Sequence, residues 1–378
     1  MSRKIYIVAG EVSGDNHGSG LMRAISSHDK SVQFSGIGGP CMEEVSKSVR
    51  NWTDDSAVVG FWEVIKKYRF FKEVFDQVLD EIESIAPDTV VLVDYPGFNL
   101  RLAEAIRKRG IETKIVYYIS PQVWAWKRGR VNRMAKVIDL MLCLFPFEVS
   151  FYERSGLEAQ FVGHPLSEAL GKFRGKAKRD NELIALLPGS RNREVEKIFP
   201  LLLGAANEIR KIMPEMRFAA SAANLVCEEK MKSMVQSAGL SCKVSVGKSH
   251  ELMSVASCGA VASGTATLEA AFLGLPYCLV YKVSGFTYYL AKGLIEVNFL
   301  GMANILAGRE LVRELIQYDA SPEKIASEIL RLIESKEKRD LLSKELESIT
   351  EPLADPGSYE RAAIATLGVI KDDVRGRV

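Results

Sequence analysis

Short, continuously apolar runs separated by longer segments of helical period organise the whole chain. In the first half the runs are 4–9 (KIYIVA), 32–37 (VQFSGI), 89–93 (TVVLV), 113–119 (TKIVYYI) and 138–144 (IDLMLCL). The second half repeats the scheme with LIALL from 183, MRFAAS from 216, CKVSV from 242, CGAVAS from 258 and YCLVYK from 277. An apolar run without polar alternation is buried on both faces, the condition of a strand in a parallel sheet covered by helices. The repetition predicts an α/β protein of two facing Rossmann-like, doubly wound domains. The stretch 171–181 (GKFRGKAKRDN) is polar, basic and glycine-containing, which suits an exposed linker. The domains are therefore expected at 1–170 and 171–352. From 321, SPEKIASEILRLIESKEKRDLLSKELESI carries apolar residues at three- and four-residue spacing behind a Ser-Pro start. It predicts a helix, ended by Pro352 and Pro356 before a last short helix.

Open sheets of this kind bind ligands beyond the carboxyl ends of their strands, so the residues there carry the chemistry. In 184–197 (IALLPGSRNREVEK) a buried strand ends in Gly189-Ser190-Arg191 and restarts as a charged helix. Such a turn is either an ordinary connection or an anion site, since helix N-termini leave backbone N–H groups unpaired and carry a partial positive charge. A second turn of this type, 263–276 (SGTATLEAAFLGLP), places Gly264 and Thr265 at a helix start, with Glu269 about one turn further on. A carboxylate at that distance can accept both hydroxyls of a ribose; the alternative is a capping threonine and a solvated glutamate. Together the two turns favour a nucleotide. No Walker lysine and no Asp-x-Asp occur, which favours a nucleoside diphosphate handled without metal.

In the first half, 9–20 (AGEVSGDNHGSG) follows the first strand, and Ser13, Gly14 and Asp15 are the groups a ligand would meet there or the start of an N-capped helix. Asp94, in VLVDYPGFN (91–99), ends a strand as either a proton acceptor at a cleft mouth or an Asx turn. In 119–136 (ISPQVWAWKRGRVNRMAK), Trp124 and Trp126 among Lys127, Arg128, Arg130 and Arg133 suit a phosphorylated sugar or lipid headgroup, or a core beside a solvated basic helix. His164 reads as a turn or packing residue rather than the alternative, a catalytic base.

Composition acts by exclusion. The net charge of +2 gives no global reason for nucleic-acid binding, and the 26% charged and 47% hydrophobic content is that of a globular protein. The six cysteines are scattered without Cys-x-x-Cys, as in a reducing, cytoplasmic compartment. The apolar start is too short for a signal-peptide core, and no apolar run reaches the roughly 18 residues of a membrane span, so membrane contact is expected to be peripheral. One stretch suits it. In 58–82 (VVGFWEVIKKYRFFKEVFDQVLDEI), Trp62 and Phe70 fall outside the apolar helical stripe and sit among Lys66, Lys67, Arg69 and Lys72, as in an interfacial helix or in a wide core helix with a basic edge.

The blocks AGEVSGD, GIGGPCM, DYPGFN, SPQVWAW, LFPFE, VGHPL, LLPGSR, SGTATLE and NILAGRELVRELIQ run in order from residue 9 to 317. In that order they resemble the lipid-A-disaccharide synthase family, with Val12 departing from the alanine often found there. The resemblance implies a glycosyltransferase B fold, an N-terminal acceptor domain, a C-terminal UDP-sugar domain and a tail, 353–378, that returns to the first. It implies inverting transfer from UDP-2,3-diacylglucosamine to 2,3-diacylglucosamine 1-phosphate, without a cofactor, at the cytoplasmic face of the inner membrane; a homodimer is compatible with it. By match to the family blocks, Asp94 is the expected base. Gly189, Ser190, Arg191, Gly264, Thr265, Glu269 and Asn304 are expected to hold UDP, and Ser13, Gly14, Asp15 and Trp126 to line the acceptor side. A UDP-sugar 2-epimerase would share the architecture without an acyl-chain site, and a nucleotide-sensing membrane scaffold would bind UDP without releasing it from a donor.

Overall fold

The computed structural model describes residues 3–52, 61–125, 128–283 and 297–375, with side chains left out at 61–68, 128 and 371–375. The chain divides into two compact units, Met1–Pro165 with Asp355–Val378, and Leu166–Ala354.

The first unit is built on β1 (Lys4–Ala9), β2 (Gln33–Gly38), β3 (Val49–Asn51), β4 (Thr89–Val93), β5 (Lys114–Tyr118), β6 (Leu140–Cys143) and β7 (Ala159–Phe161), ordered 3-2-1-4-5-6-7. The second holds β8 (Asp180–Leu187), β9 (Arg217–Ala222), β10 (Cys242–Val246), β11 (Ala256–Ala262), β12 (Tyr277–Tyr281) and β13 (Glu314–Ile316), ordered 10-9-8-11-12-13. Every strand pairing is parallel. The apolar runs explain why: β4 and β11 are buried at every position, so helices must cover both faces. β3, β7 and β13 escape a sequence reading because three residues are too few to show a period.

In each sheet the winding reverses between two central strands, β1 and β4 in the first and β8 and β11 in the second. Register aligns Ala9 with Val93 and Val261 with Leu187. The loop after one strand therefore lies beside the loop after the other, the crevice in which doubly wound sheets bind ligands.

Three sequence expectations are corrected. Residues 171–181 are not a free linker: Arg174 donates to Glu347 O at 2.8 Å and stacks over the Phe272 ring. Arg179, whose pKa burial lowers, donates to the carbonyls of Met253, Ala256 and Leu273. The basic residues are anchors, because guanidinium groups can satisfy otherwise orphaned carbonyls at strand and helix ends. The C-terminal helical segment is two helices, Pro322–Glu334 and Lys336–Thr350, since the Ser335 hydroxyl accepts from Lys338 N at 3.2 Å and starts a new helix. The last helix, Ser358–Arg375, is 18 residues rather than short, and lies against Val12–His28 in the first unit.

Candidate functional site

In the second unit, the turns after β8 and β11 border one cavity of about 560 Å³ lined by Gly189, Ser190, Arg191, Glu194, His250, Gly264, Thr265 and Glu269 among others. Gly189 (φ 103°) and Gly264 (φ 144°) take backbone angles that L side chains rarely adopt, which brings each chain sharply from strand into helix. The two turns are electrostatically unlike. The N–H groups of Ser190 and Arg191 are already taken by Glu194 Oε2, at 3.1 and 3.3 Å, and Glu194 Oε1 pairs with Arg191 Nη1 at 3.0 Å. The first helix thus carries its own anion, and what it offers a ligand is the Arg191 guanidinium, whose side chain is 84% exposed. At the second turn no side chain caps the helix Thr265–Phe272, and Thr267 Oγ1 turns back to Gly264 O at 2.7 Å. Thr265 is exposed at the mouth of that open N-terminus, the better seat for a phosphate.

Glu269 is not a freely solvated carboxylate: His250 Nε2 lies 3.1 Å from its Oε2. His250 stands in the helix Ser249–Val255, with the Phe173 ring 6.2 Å away. Sequence reading missed this pair. A lone histidine 19 residues from its partner and on a different helix leaves no spacing signal.

In the first unit, Asp94 and Tyr95 follow β4 with φ of 49° and 46°. Two consecutive left-handed non-glycine residues need outside support. Asn99 Nδ2 donates to Asp94 O at 2.7 Å and to Val93 O at 3.1 Å, Tyr117 Oη donates to Asp94 O at 2.5 Å, and Asp94 N donates to Tyr118 O at 2.9 Å. Opposite, a Cβ on Gly10 would fall 2.2 Å from the Tyr95 ring, so only glycine lets the two loops meet. Burial raises the Asp94 pKa; a backbone hydrogen bond at Tyr95 works against it and the charge of Glu11 adds to it. A carboxylate destabilised in its charged form has a stronger pull on a proton. Ile119, after β5, also has positive φ (68°).

The other sequence candidates divide. Ser13 is exposed beside this loop and Gly14 is buried beneath it. Asp15 is 2% exposed and accepts from the backbone of Gly39, Cys41 and Met42, each at 2.9 Å. It holds a neighbouring helix start and has no oxygen facing a ligand. Asn304 is fully buried: its amide donates to Val312 O and Glu314 Oε1 and accepts from Leu311 N and Val312 N. With every hydrogen-bonding position used it is framework, not a nucleotide contact. Trp124 is buried and donates to the buried carboxylate of Glu148 at 2.9 Å, which makes it core; Trp126 lies outside the described residues. The His164 ring lies tilted against that of Phe145, with centroids 5.4 Å apart. Of the 58–82 patch, the side chains of Trp62, Lys66 and Lys67 lie outside the described residues, while Phe70 is half-buried with its ring 5.8 Å from Phe71. Phe70 therefore packs in part on its own unit instead of standing free.

Among the described residues no helix is long and apolar enough to cross a membrane. A family model described as lipid-A-disaccharide synthetase matches residues 5–368. The lipid-A-disaccharide synthase of Geobacter sulfurreducens is 38% identical over 381 residues, with 99% of each chain covered. That of Trichlorobacter lovleyi is 37% identical over 377 residues, with 98% of each covered. Among solved structures, UDP-GlcNAc 2-epimerase from Neisseria meningitidis, bound to UDP-GlcNAc, gives a TM-score of 0.60 at 13% identity, covering 96% of this chain and 99% of that one. The calicheamicin glycosyltransferase CalG4 gives 0.59 at 15%, covering 97% and 98%. At such identities the structures establish the two-unit glycosyltransferase B architecture alone, which transferases and epimerases share. The sequence relatives go further, 37–38% identical over essentially their whole length, and together with the family model over residues 5–368 they show that the chain belongs to the lipid-A-disaccharide synthetase family.

Proposed function

We propose that this protein joins UDP-2,3-diacylglucosamine to 2,3-diacylglucosamine 1-phosphate, with inversion at the anomeric carbon, giving the β(1→6) disaccharide 1-phosphate and UDP. The observation that carries the reading is the pairing of an open helix N-terminus and an exposed arginine around one cavity at the switch point of the second sheet. In this reading the diphosphate sits against Thr265 and the backbone of that turn, with Arg191 swinging from Glu194 to phosphate and Glu269 accepting the ribose hydroxyls. Asp94 takes the proton of the acceptor's 6-hydroxyl as that oxygen attacks the face opposite UDP. The bond to the diphosphate breaks as the new glycosidic bond forms, and Arg191 with the helix terminus stabilises the departing charge. No metal or cofactor is called for, because these cationic groups meet the leaving group directly. Acylated substrates place the protein at the cytoplasmic face of the inner membrane, with the basic, aromatic segment of the helix Phe61–Ile85 as its contact.

Purified protein with both acylated sugars and EDTA tests this. UDP should appear only when the acceptor is present, and Arg191→Ala should weaken UDP by about 1.5–3 kcal/mol in calorimetry. UDP release without acceptor, unaltered affinity in the variant, or activity abolished by EDTA would each contradict the proposal.

A further inference from the structure

Beside the strained Asp94–Tyr95 turn, two cavities adjoin the first turns of the helix Pro96–Lys108. One, of about 410 Å³, is walled by the rings of Phe71, Phe75, Tyr95 and Phe98, with Lys72 and Arg101 at its rim. The other, of about 220 Å³, is lined by Arg101, Arg130 and Arg133 with Glu104, over Pro96 and Met134. Gly97 and Arg101 belong to both. We propose that the two are one amphiphilic subsite for an acylated sugar phosphate, the acyl chain lying along the aromatic wall and the phosphomonoester held by Arg101.

The argument is one of complementarity. Rings dominate the larger cavity: Phe75 and Phe98 meet edge to face with centroids 5.5 Å apart, and Tyr95 lies 6.2 Å from Phe98. They offer a continuous apolar wall at a surface where water would otherwise be held against carbon, the usual lining of a small-molecule site. The charged side chains of the two cavities are four cations and one carboxylate, and Glu104 is already paired with Arg133 at 2.7 Å. Arg101 is exposed, and neither it nor Lys72 makes an ion pair among the described residues. A guanidinium kept unpaired at the seam between an apolar wall and a basic hollow matches a ligand that is oily at one end and dianionic at the other. The position fits as well. Tyr95 and Gly97 line the site and Asp94 directly precedes them, so a sugar spanning the seam presents its hydroxyls next to the proposed base. This rests on the proposed function, whose acceptor has both features; its donor lacks the free phosphomonoester.

The test is steady-state kinetics in one neutral detergent with two acceptors, 2,3-diacylglucosamine 1-phosphate and the same lipid without phosphate. Arg101→Gln should raise KM about 10- to 100-fold for the phosphorylated acceptor, and leave KM for the other within about twofold because nothing is lost where no phosphate binds. Arg101→Lys should fall between, keeping the charge and losing the planar fork. UDP affinity, which the second unit supplies, should match wild type in both variants. Equal KM changes for the two acceptors, or none for either, would overturn the subsite. So would Arg101→Gln that loses only co-sedimentation with phosphatidylglycerol vesicles, since the groove would then face bilayer lipid. Wild-type protein that transfers to neither acceptor would remove the proposed function and this site with it. Wild-type transfer with an indifferent Arg101 removes the site alone.

Discussion

Asp94 and Tyr95 hold left-handed angles at the end of β4, and Ile119 does so at the end of β5. Each such residue costs about 1–3 kcal/mol relative to relaxed backbone, and the hydrogen bonds from Asn99 and Tyr117 to Asp94 O are what keep the strain in place. The consequence is an aspartate held partly out of water next to Glu11. Two measurements follow at this scale. Asp94→Asn should lower turnover by about 10²- to 10⁴-fold with UDP affinity unchanged, because an amide cannot take the proton. As the proposed base, Asp94 would work only when ionised, and its pKa is raised, so activity should fall on acidification at a higher pH than an ordinary aspartate would impose. Glu11→Gln removes the charge that adds to the effect of burial and should move the acid limb of kcat/KM to lower pH. An unmoved limb would mean another group titrates there.

Between residue and fold, the same chemistry serves two ends. Helix N-termini attract anions, and in this molecule some are filled from within: Asp15 holds the start of Pro40–Val45, and Glu194 that of Asn192–Ile212. The Thr265–Phe272 terminus, beside the cavity of the second unit, is left without a side-chain cap. Elements set the fate of Asn304 too. Its four bonds join the helix Met302–Ala307 to the approach to β13. Asn304→Ala should cost about 2–4 kcal/mol in urea denaturation, as buried partners are left unmatched. UDP affinity of the folded protein should stay near wild type. A large loss of UDP affinity without loss of stability would return Asn304 to the binding site.

At the scale of the whole molecule the chain leaves its first unit at Pro165 and returns to it at Asp355. Arg361 secures the return: its guanidinium donates to Val162 O at 2.9 Å, to Asp355 O at 3.0 Å and Oδ2 at 2.9 Å, and to Pro356 O at 2.8 Å. Tyr359 meets His17 at 3.1 Å on the helix that follows β1. Arg361→Ala should therefore lower the stability of the first unit by about 2–3 kcal/mol, seen as an earlier unfolding transition, while the UDP binding proposed for the second unit stays intact. Coincident loss of both would show that the units unfold as one.

The pattern along the chain was enough for the ten longer strands, the parallel sheets and the two glycine turns, because these follow from local rules: burial on both faces makes continuous apolar runs, and a strand-to-helix reversal needs residues that tolerate it. Of the family blocks, LLPGSR and SGTATLE lie in those turns and were legible for the same reason. Partnership was not. Whether Asp15 or Asp94 faces a ligand, whether Asn304 is spent on its own backbone, and that His250 meets Glu269 are decided by groups distant in sequence. A carboxylate in the sequence carries only its charge and its position along the chain. Folding brings either backbone N–H groups or open space to its oxygens, and that alone separates a cap from a base.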